Sequence, residues 1–177
     1  MHYTTFSFSL YIPKELNRVK LELKELASFL VKAKRATYAG GGKDVKPQRP
    51  GFKELEFSEG DFNYRDSYAG FYAAPGQEIV RFKGVPVWSM AYDGETMKQF
   101  RNETAFKIYA FLKKALMQVE ETEPFRGLEY FEEGNFVYIS ETVGDITRFT
   151  GQEKILLKGI EAFRQSFFGG LILHLEK

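Results

Sequence analysis

At 177 residues, 44% hydrophobic and 28% charged, the chain can bury one sizeable core, as an ordinary soluble protein does. Its 25 basic and 24 acidic residues leave a formal net charge of +1, so there is no electrostatic case for nucleic acid or an anionic membrane surface. Cysteine is absent, which excludes disulfides, thiolate metal sites and cysteine nucleophiles.

Met1 to Thr5 lacks the charged and apolar regions of a secretory signal, and no apolar run reaches the roughly 18 residues of a membrane span. A cytoplasmic location is expected. Few Asn with abundant Lys and Glu suit a thermophile. Thr5 to Tyr11 alternates apolar and polar residues and reads as a half-buried strand. Pro13 then opens a helix. Leu16, Val19, Leu23, Leu26, Leu30 and Ala33 form its core face, and Gly40-Gly41-Gly42 ends it. Gly40 to Gly51 reads as a long loop.

Leu55 and Phe57 start the next strand, and Glu59-Gly60-Asp61 is a tight turn. Phe62, Tyr64, Asp66 and Tyr68 then alternate against Asn63, Arg65 and Ser67. Pro75-Gly76 turns the chain into strands at Glu78 to Phe82 and Val85 to Tyr92, joined by a turn at Lys83-Gly84. Asp93-Gly94-Glu95 leads into a second helix whose core face is Met97, Phe100, Thr104, Ile108, Phe111, Ala115 and Val119. A second meander follows at Leu128 to Phe131, Phe136 to Thr142, Ile155 to Leu157 and Ala162 to Phe168.

The second half echoes the first. Phe57, Glu59, Gly60, Phe62 and Tyr64 recur as Phe131, Glu133, Gly134, Phe136 and Tyr138. Gly76-Gln77-Glu78 returns as Gly151-Gln152-Glu153, and Lys83-Gly84 as Lys158-Gly159. Two copies at so long a period point to a duplicated supersecondary unit, not a solenoid. The expected fold is α+β: one fused domain over residues 1–177, with internally duplicated strand-helix-antiparallel meander units at about 5–84 and 86–171 related by pseudo-two-fold symmetry.

Several segments together resemble a prokaryotic domain family of unknown function. They are Phe29 to Lys34, Thr37 to Gly40, Arg49-Pro50-Gly51, Glu59 to Tyr68, Gly76-Gln77-Glu78, Pro86 to Met90, Phe125-Arg126-Gly127 and Gly169-Gly170. The likeness runs from about Leu26 to Leu171. Members often sit C-terminal to a helix-turn-helix regulator domain, which implies a sensor role by analogy. Here the residues before the match are too few for such a domain, so a stand-alone version is implied. Where the family tends to show an Asn-Tyr pair and a late His, this chain has Ala91-Tyr92 and Phe168.

Catalytic motifs are scarce. His2 and His174 lie at the two ends, against a Ser-His-Asp triad or a His-rich metal site. Gly40-Gly41-Gly42 lacks the Gly-Lys-Ser/Thr ending of a phosphate loop. No metal or cofactor is expected. Asp66 stands out, because a carboxylate between Tyr64 and Tyr68 on a core-like face is costly unless paired. It either hydrogen-bonds a ligand stacked on the Tyr rings or meets an arginine such as Arg49 or Arg81. Trp88 and Tyr92 complete the candidate ligand-binding set, with Trp88 either core or pocket floor. Glu78 and Glu153, at matched places, either converge as an acid/base or cation-binding pair or simply belong to a polar turn that caps each hairpin. Arg49 and Arg126 could bind an anion or brace the two halves through carboxylates.

Three functions fit these features. The first is a small-molecule-binding or sensor-like domain with a pocket at the helix/sheet or repeat interface. The second is a small enzyme using carboxylate and Tyr acid-base chemistry. The third is an interaction module pairing through aromatic surface, as in a homodimer.

Overall fold

The structure, a computed structural model, describes residues 21–172. Both histidines, the strand expected at Thr5 to Tyr11 and the helix start at Pro13, Leu16 and Val19 lie outside the described residues. Helix α1 (Leu23–Ala36) leads into four strands: β1 (Lys53–Glu59), β2 (Phe62–Tyr68), β3 (Gly76–Phe82) and β4 (Val85–Thr96). A 3-10 turn at Lys98–Phe100 and helix α2 (Glu103–Leu116) come next. The remaining strands are β5 (Tyr130–Glu133), β6 (Phe136–Asp145), β7 (Arg148–Leu157) and β8 (Ile160–Leu171). The class is α+β, with one eight-stranded antiparallel sheet in the order β1-β2-β3-β4-β8-β7-β6-β5.

Local chemistry explains the elements. Leu26, Phe29, Leu30 and Ala33 recur at helical spacing and are buried, while Lys34 and Arg35 in the last turn complement the helix dipole. At its end the Thr37 hydroxyl donates to the Ala33 carbonyl at 2.7 Å. Helix α2 opens on Asn102, whose side chain accepts from the Thr104 N–H at 2.8 Å. Two hairpins turn on Lys-Gly pairs with positive φ at both residues: 50° and 80° at Lys83-Gly84, 52° and 78° at Lys158-Gly159. Such turns match the right-handed twist of the flanking strands.

Some boundaries differ from the sequence reading. Asp93-Gly94-Glu95 does not begin a helix; β4 runs on through Thr96 because Ala73 pairs with Glu95 on one side and Arg164 on the other. Gly94 belongs inside that strand, since a methyl group there would strike the Gln165 side chain. Strands β6 and β7 are likewise longer than expected, meeting at a turn near Ile146. Helix α1 stops at Ala36, before the glycine run.

Two apolar clusters fill the space between the helices and the sheet. One gathers α1, β2 to β4, Phe125, Phe149 and Phe167. The other gathers α2, Tyr138, Ile155 and Phe163. In each, a helix Phe packs against two strand Phe: Phe29 is tilted against Phe57 and stacked on Phe62, and Phe111 is stacked on Phe131 and Phe136. Ion pairs Lys32–Glu59 and Lys114–Glu133 flank them at matching places. The seam is the β4–β8 pairing, from Trp88↔Leu171 to Thr96↔Phe163.

Candidate functional site

Strand alternation turns Tyr64, Asp66 and Tyr68 of β2, Glu78 of β3 and Tyr92 of β4 toward the helices. There they meet Lys34 of α1, Tyr38 from the turn just after it, Tyr109 and Lys113 of α2, and Arg126 from the segment before β5. These side chains line a cavity of about 370 Å³. Its rim is aromatic. The connection between β2 and β3 crosses to the α2 side, where the Ala74 N–H donates to the Gly94 carbonyl at 2.9 Å and the Thr96 N–H to the Tyr72 carbonyl at 2.7 Å. The Tyr109 hydroxyl donates to the Phe71 carbonyl. The Phe71 ring lies 5.1 Å from both Phe106 and Tyr109, with Phe71 40% and Phe106 64% exposed.

The floor is charged and buried. Asp66 is 3% exposed and lies directly across from Glu78 in the β2–β3 register. The Tyr92 hydroxyl donates to Asp66 Oδ1 at 2.7 Å. Its ring reaches that far by lying over Gly76, where any larger residue would collide with it. Lys34 Nζ binds Glu78 Oε2, and burial, then the neighbouring Glu78, hold the Tyr64 phenol well above its ordinary value. Beside them Arg126 holds Glu153 with two bonds, Nε to Oε2 at 3.0 Å and Nη2 to Oε1 at 2.6 Å. Glu153 also accepts from the Tyr138 hydroxyl at 2.6 Å and from Gln165 Nε2 at 3.0 Å. The Arg126 guanidinium lies 5.7 Å from the Tyr92 ring centre.

Of the three carboxyls, Asp66 alone has no ion pair of its own. Burial, then the neighbouring Glu78, push it up to about 7, against the opposing pull of the Tyr92 hydroxyl and of Lys34 and Arg126. Burial holds the Lys34 ammonium below its ordinary value despite Glu78. Burial also raises the Tyr92 phenol well above its ordinary value, so it stays protonated as a donor to Asp66. Near neutrality the floor therefore holds a carboxyl that can carry or release a proton.

Tyr64, Asp66, Tyr68, Tyr92, Glu78 and Arg126 thus come together around one cavity. Four residues named from the sequence lie elsewhere. Trp88 is fully buried, stacked on Phe149 at 5.8 Å, and its Nε1–H donates to the Ile146 carbonyl at 3.1 Å. The β6–β7 turn covers it, so it forms core and not the cavity wall. Arg49 donates to the Gln77 side chain at 2.7 Å, and Arg81 sits opposite Asn63, off the core-facing positions, so neither meets Asp66. Glu153 lies behind Arg126; it and Glu78 do not join as an acid/base pair, because each has its own cation. Among the described residues no cluster of three or more His, Asp or Glu is placed to hold a metal ion.

Sequence reasoning missed Lys34, Tyr38, Phe71, Phe106, Tyr109, Lys113 and Gln165 as lining residues. Lys34 left a signal, since it follows Leu30 by four and so joins the buried stripe of α1. The others come from distant segments and left none.

The family model described as "Domain of unknown function (DUF5680)" matches residues 66–172, and the chain belongs to that family. The matched span begins at Asp66, so the segments quoted from Phe29 to Arg65 precede it. No curated protein and no solved structure matches the chain. No helix among the described residues is long and apolar enough to cross a membrane.

Proposed function

We propose that this DUF5680 domain binds a small molecule in the cavity between its helices and the first four strands. The carrying observation is Asp66, buried and without an ion pair, on the floor of a cavity whose rim exposes Phe71 and Phe106. Burying such a carboxyl is costly, and a fold built for stability alone would replace it. At about 370 Å³ the volume falls near the small end of the roughly 300–1,000 Å³ typical of ligand pockets, and apolar walls with few polar groups fit that use. Ala110 lines the cavity from an exposed helix position, so Ala110→Trp plugs it without touching the core. Thermal-shift and calorimetric screening of small aromatic compounds should find hits that this variant loses. A wild-type protein that binds none of them sinks the reading.

A sensor role for the bound state, in the cytoplasm and by analogy with helix-turn-helix-linked relatives, goes with this proposal. A second reading is proton-transfer chemistry with Asp66 as acid or base, favoured by its proton affinity near neutrality. Under that reading Asp66→Asn abolishes turnover of a bound compound while binding survives.

We also infer that the sheet descends from one copied unit of a helix and four strands. The matched Phe stacks, the paired Lys–Glu bridges and the two Lys-Gly turns support this. Superimposing the two halves, helix on helix, tests it; unrelated strand paths would remove it.

A further inference from the structure

The distribution of charge around the cavity assigns a class to its ligand, an inference that rests on the binding reading above. Consider which charges already have partners. Glu78 has Lys34, and Glu153 has Arg126. The electron-rich faces of Tyr92 and Tyr38 already hold cations, Arg126 at 5.7 Å and Lys113 at 5.0 Å. What remains is Asp66 on the floor, one oxygen of which accepts from Tyr92. At the other end remain Lys53 and Lys113, which line the cavity with no carboxylate partner among the described residues.

These positions are ordered along the cavity. Lys53 is the register partner of Tyr68 in β1–β2, and Tyr68 meets Tyr38 edge to face at 6.0 Å. Lys113 lies over that same Tyr38. The two lysines therefore flank a Tyr38–Tyr68 pair one inward-facing position outward from Asp66. Lys53 is exposed and Asp66 is buried, which makes the first the outer end and the second the inner. We infer that the cavity takes a small flat amphoteric molecule: a protonated nitrogen at the inner end pairs with Asp66, an anionic group at the outer end meets Lys53 and Lys113, and its ring lies among Tyr38, Tyr68 and Tyr109.

A cation at the floor completes the balance there. Ionised Asp66, Glu78 and Glu153 face Lys34 and Arg126, and one further positive charge neutralises the set. The groups facing Asp66 are Lys34 from α1, Tyr38 from the turn after it, Tyr64 and Tyr68 from its own strand, Glu78 from β3, Tyr92 from β4 and Arg126 from the segment before β5; α2 brings Tyr109 and Lys113 to the same cavity, and the Asp44 carboxylate acts on Tyr68 at the outer end. Because the ammonium pairs with the ionised carboxyl, binding releases the Asp66 proton, and affinity rises with pH through neutrality. An anion seated at the floor needs protonated Asp66 as donor and gives the opposite slope.

Isothermal titration with 3-(2-aminoethyl)indole-6-carboxylate, which carries its ammonium and carboxylate at opposite ends of the ring, and with tryptamine, indole-3-propionate and uncharged 3-methylindole separates the terms. The amphoteric probe should bind best and tryptamine next. Tryptamine affinity should rise at least threefold from pH 6 to pH 8. Asp66→Asn should weaken the amphoteric probe and tryptamine about tenfold and spare indole-3-propionate. Lys53→Ala/Lys113→Ala, at an exposed and a half-buried position, should weaken the amphoteric probe and indole-3-propionate and spare tryptamine. Binding of 3-methylindole that Ala110→Trp removes, with no gain from the added amine, overturns the class while keeping the pocket. Tighter binding of indole-3-propionate than of tryptamine, or a tryptamine affinity that falls with pH, also overturns it. Absence of binding by all four probes overturns the class and counts against the pocket itself.

Discussion

The two ends of the sheet set several of the same residue types on their inner faces and enclose different interiors. Tyr64, Glu78 and the glycine beneath Tyr92 have counterparts in Tyr138, Glu153 and the glycine beneath Phe167. Where the first end sets Asp66 across from Glu78, the second sets Ser140 across from Glu153. The aromatic that crosses the glycine is Tyr92 at one end, with a hydroxyl to offer, and Phe167 at the other, with none. Glu153 accepts from Arg126, Tyr138 and Gln165 and is sealed, while Glu78 faces a cavity with one lysine. The Glu153 carboxylate is thus enclosed by protein donors, whereas Asp66 and Glu78 border the cavity itself. A handful of side chains makes that difference.

The largest effect should come from breaking the sealed pair. Arg126→Met leaves Glu153 buried without its cation, a loss of about 3–5 kcal/mol in urea unfolding. Lys34→Met should cost clearly less, because Glu78 borders a cavity that water can enter. Equal losses would erase the distinction between closed and open ends.

Next comes the pH dependence of Asp66. Its folded pKa lies above the ordinary 3.8, at about 7. The favourable contribution is therefore complete below pH 4 and is lost as pH rises toward 7. From about 1.4 kcal/mol per unit, the loss amounts to at most about 4 kcal/mol. Asp66→Asn should flatten that slope in melting curves between pH 4 and 8. Ser140→Asn, at the matching position, should leave it intact. A wild-type slope that persists in Asp66→Asn would assign the proton elsewhere.

Glycine substitutions sharpen the same contrast at smaller cost. Gly76→Ala and Gly151→Ala each push an aromatic ring aside, at about 1–3 kcal/mol by overpacking. Only the first should also alter the pH slope, because it moves Tyr92 off Asp66. Smallest of all, Lys32→Ala and Lys114→Ala remove exposed ion pairs at matching places and should each change stability by less than about 1 kcal/mol. A large difference between these two would mean the helices are docked unequally.

Much of this was legible in the residues. Alternation placed Tyr64, Asp66, Tyr68 and Tyr92 on one face, and the cost of burying a carboxylate singled out Asp66. The Gly-containing turns fixed the hairpins. What could not be read was what lies above each face. Trp88 and Tyr92 alternate identically along β4, yet the β6–β7 turn at Ile146 covers one and the cavity opens over the other. The Asp66 partner expected among Arg49 and Arg81 is Tyr92, a choice made by a ring crossing a glycine two strands away. Asp93-Gly94-Glu95 carries turn chemistry and still lies in a strand, because pairing with β8 overrides local preference.

The β4–β8 seam has a temporal consequence. It joins strands far apart in the chain, so its pairing is a late, non-local event in folding. Phe163 and Gln165 of β8 help close the cavity. A chain emerging from the ribosome has every inward residue of β2 in place long before the cavity exists. A ligand of the kind proposed would therefore act only on the finished protein and would hold the last strand home by mass action.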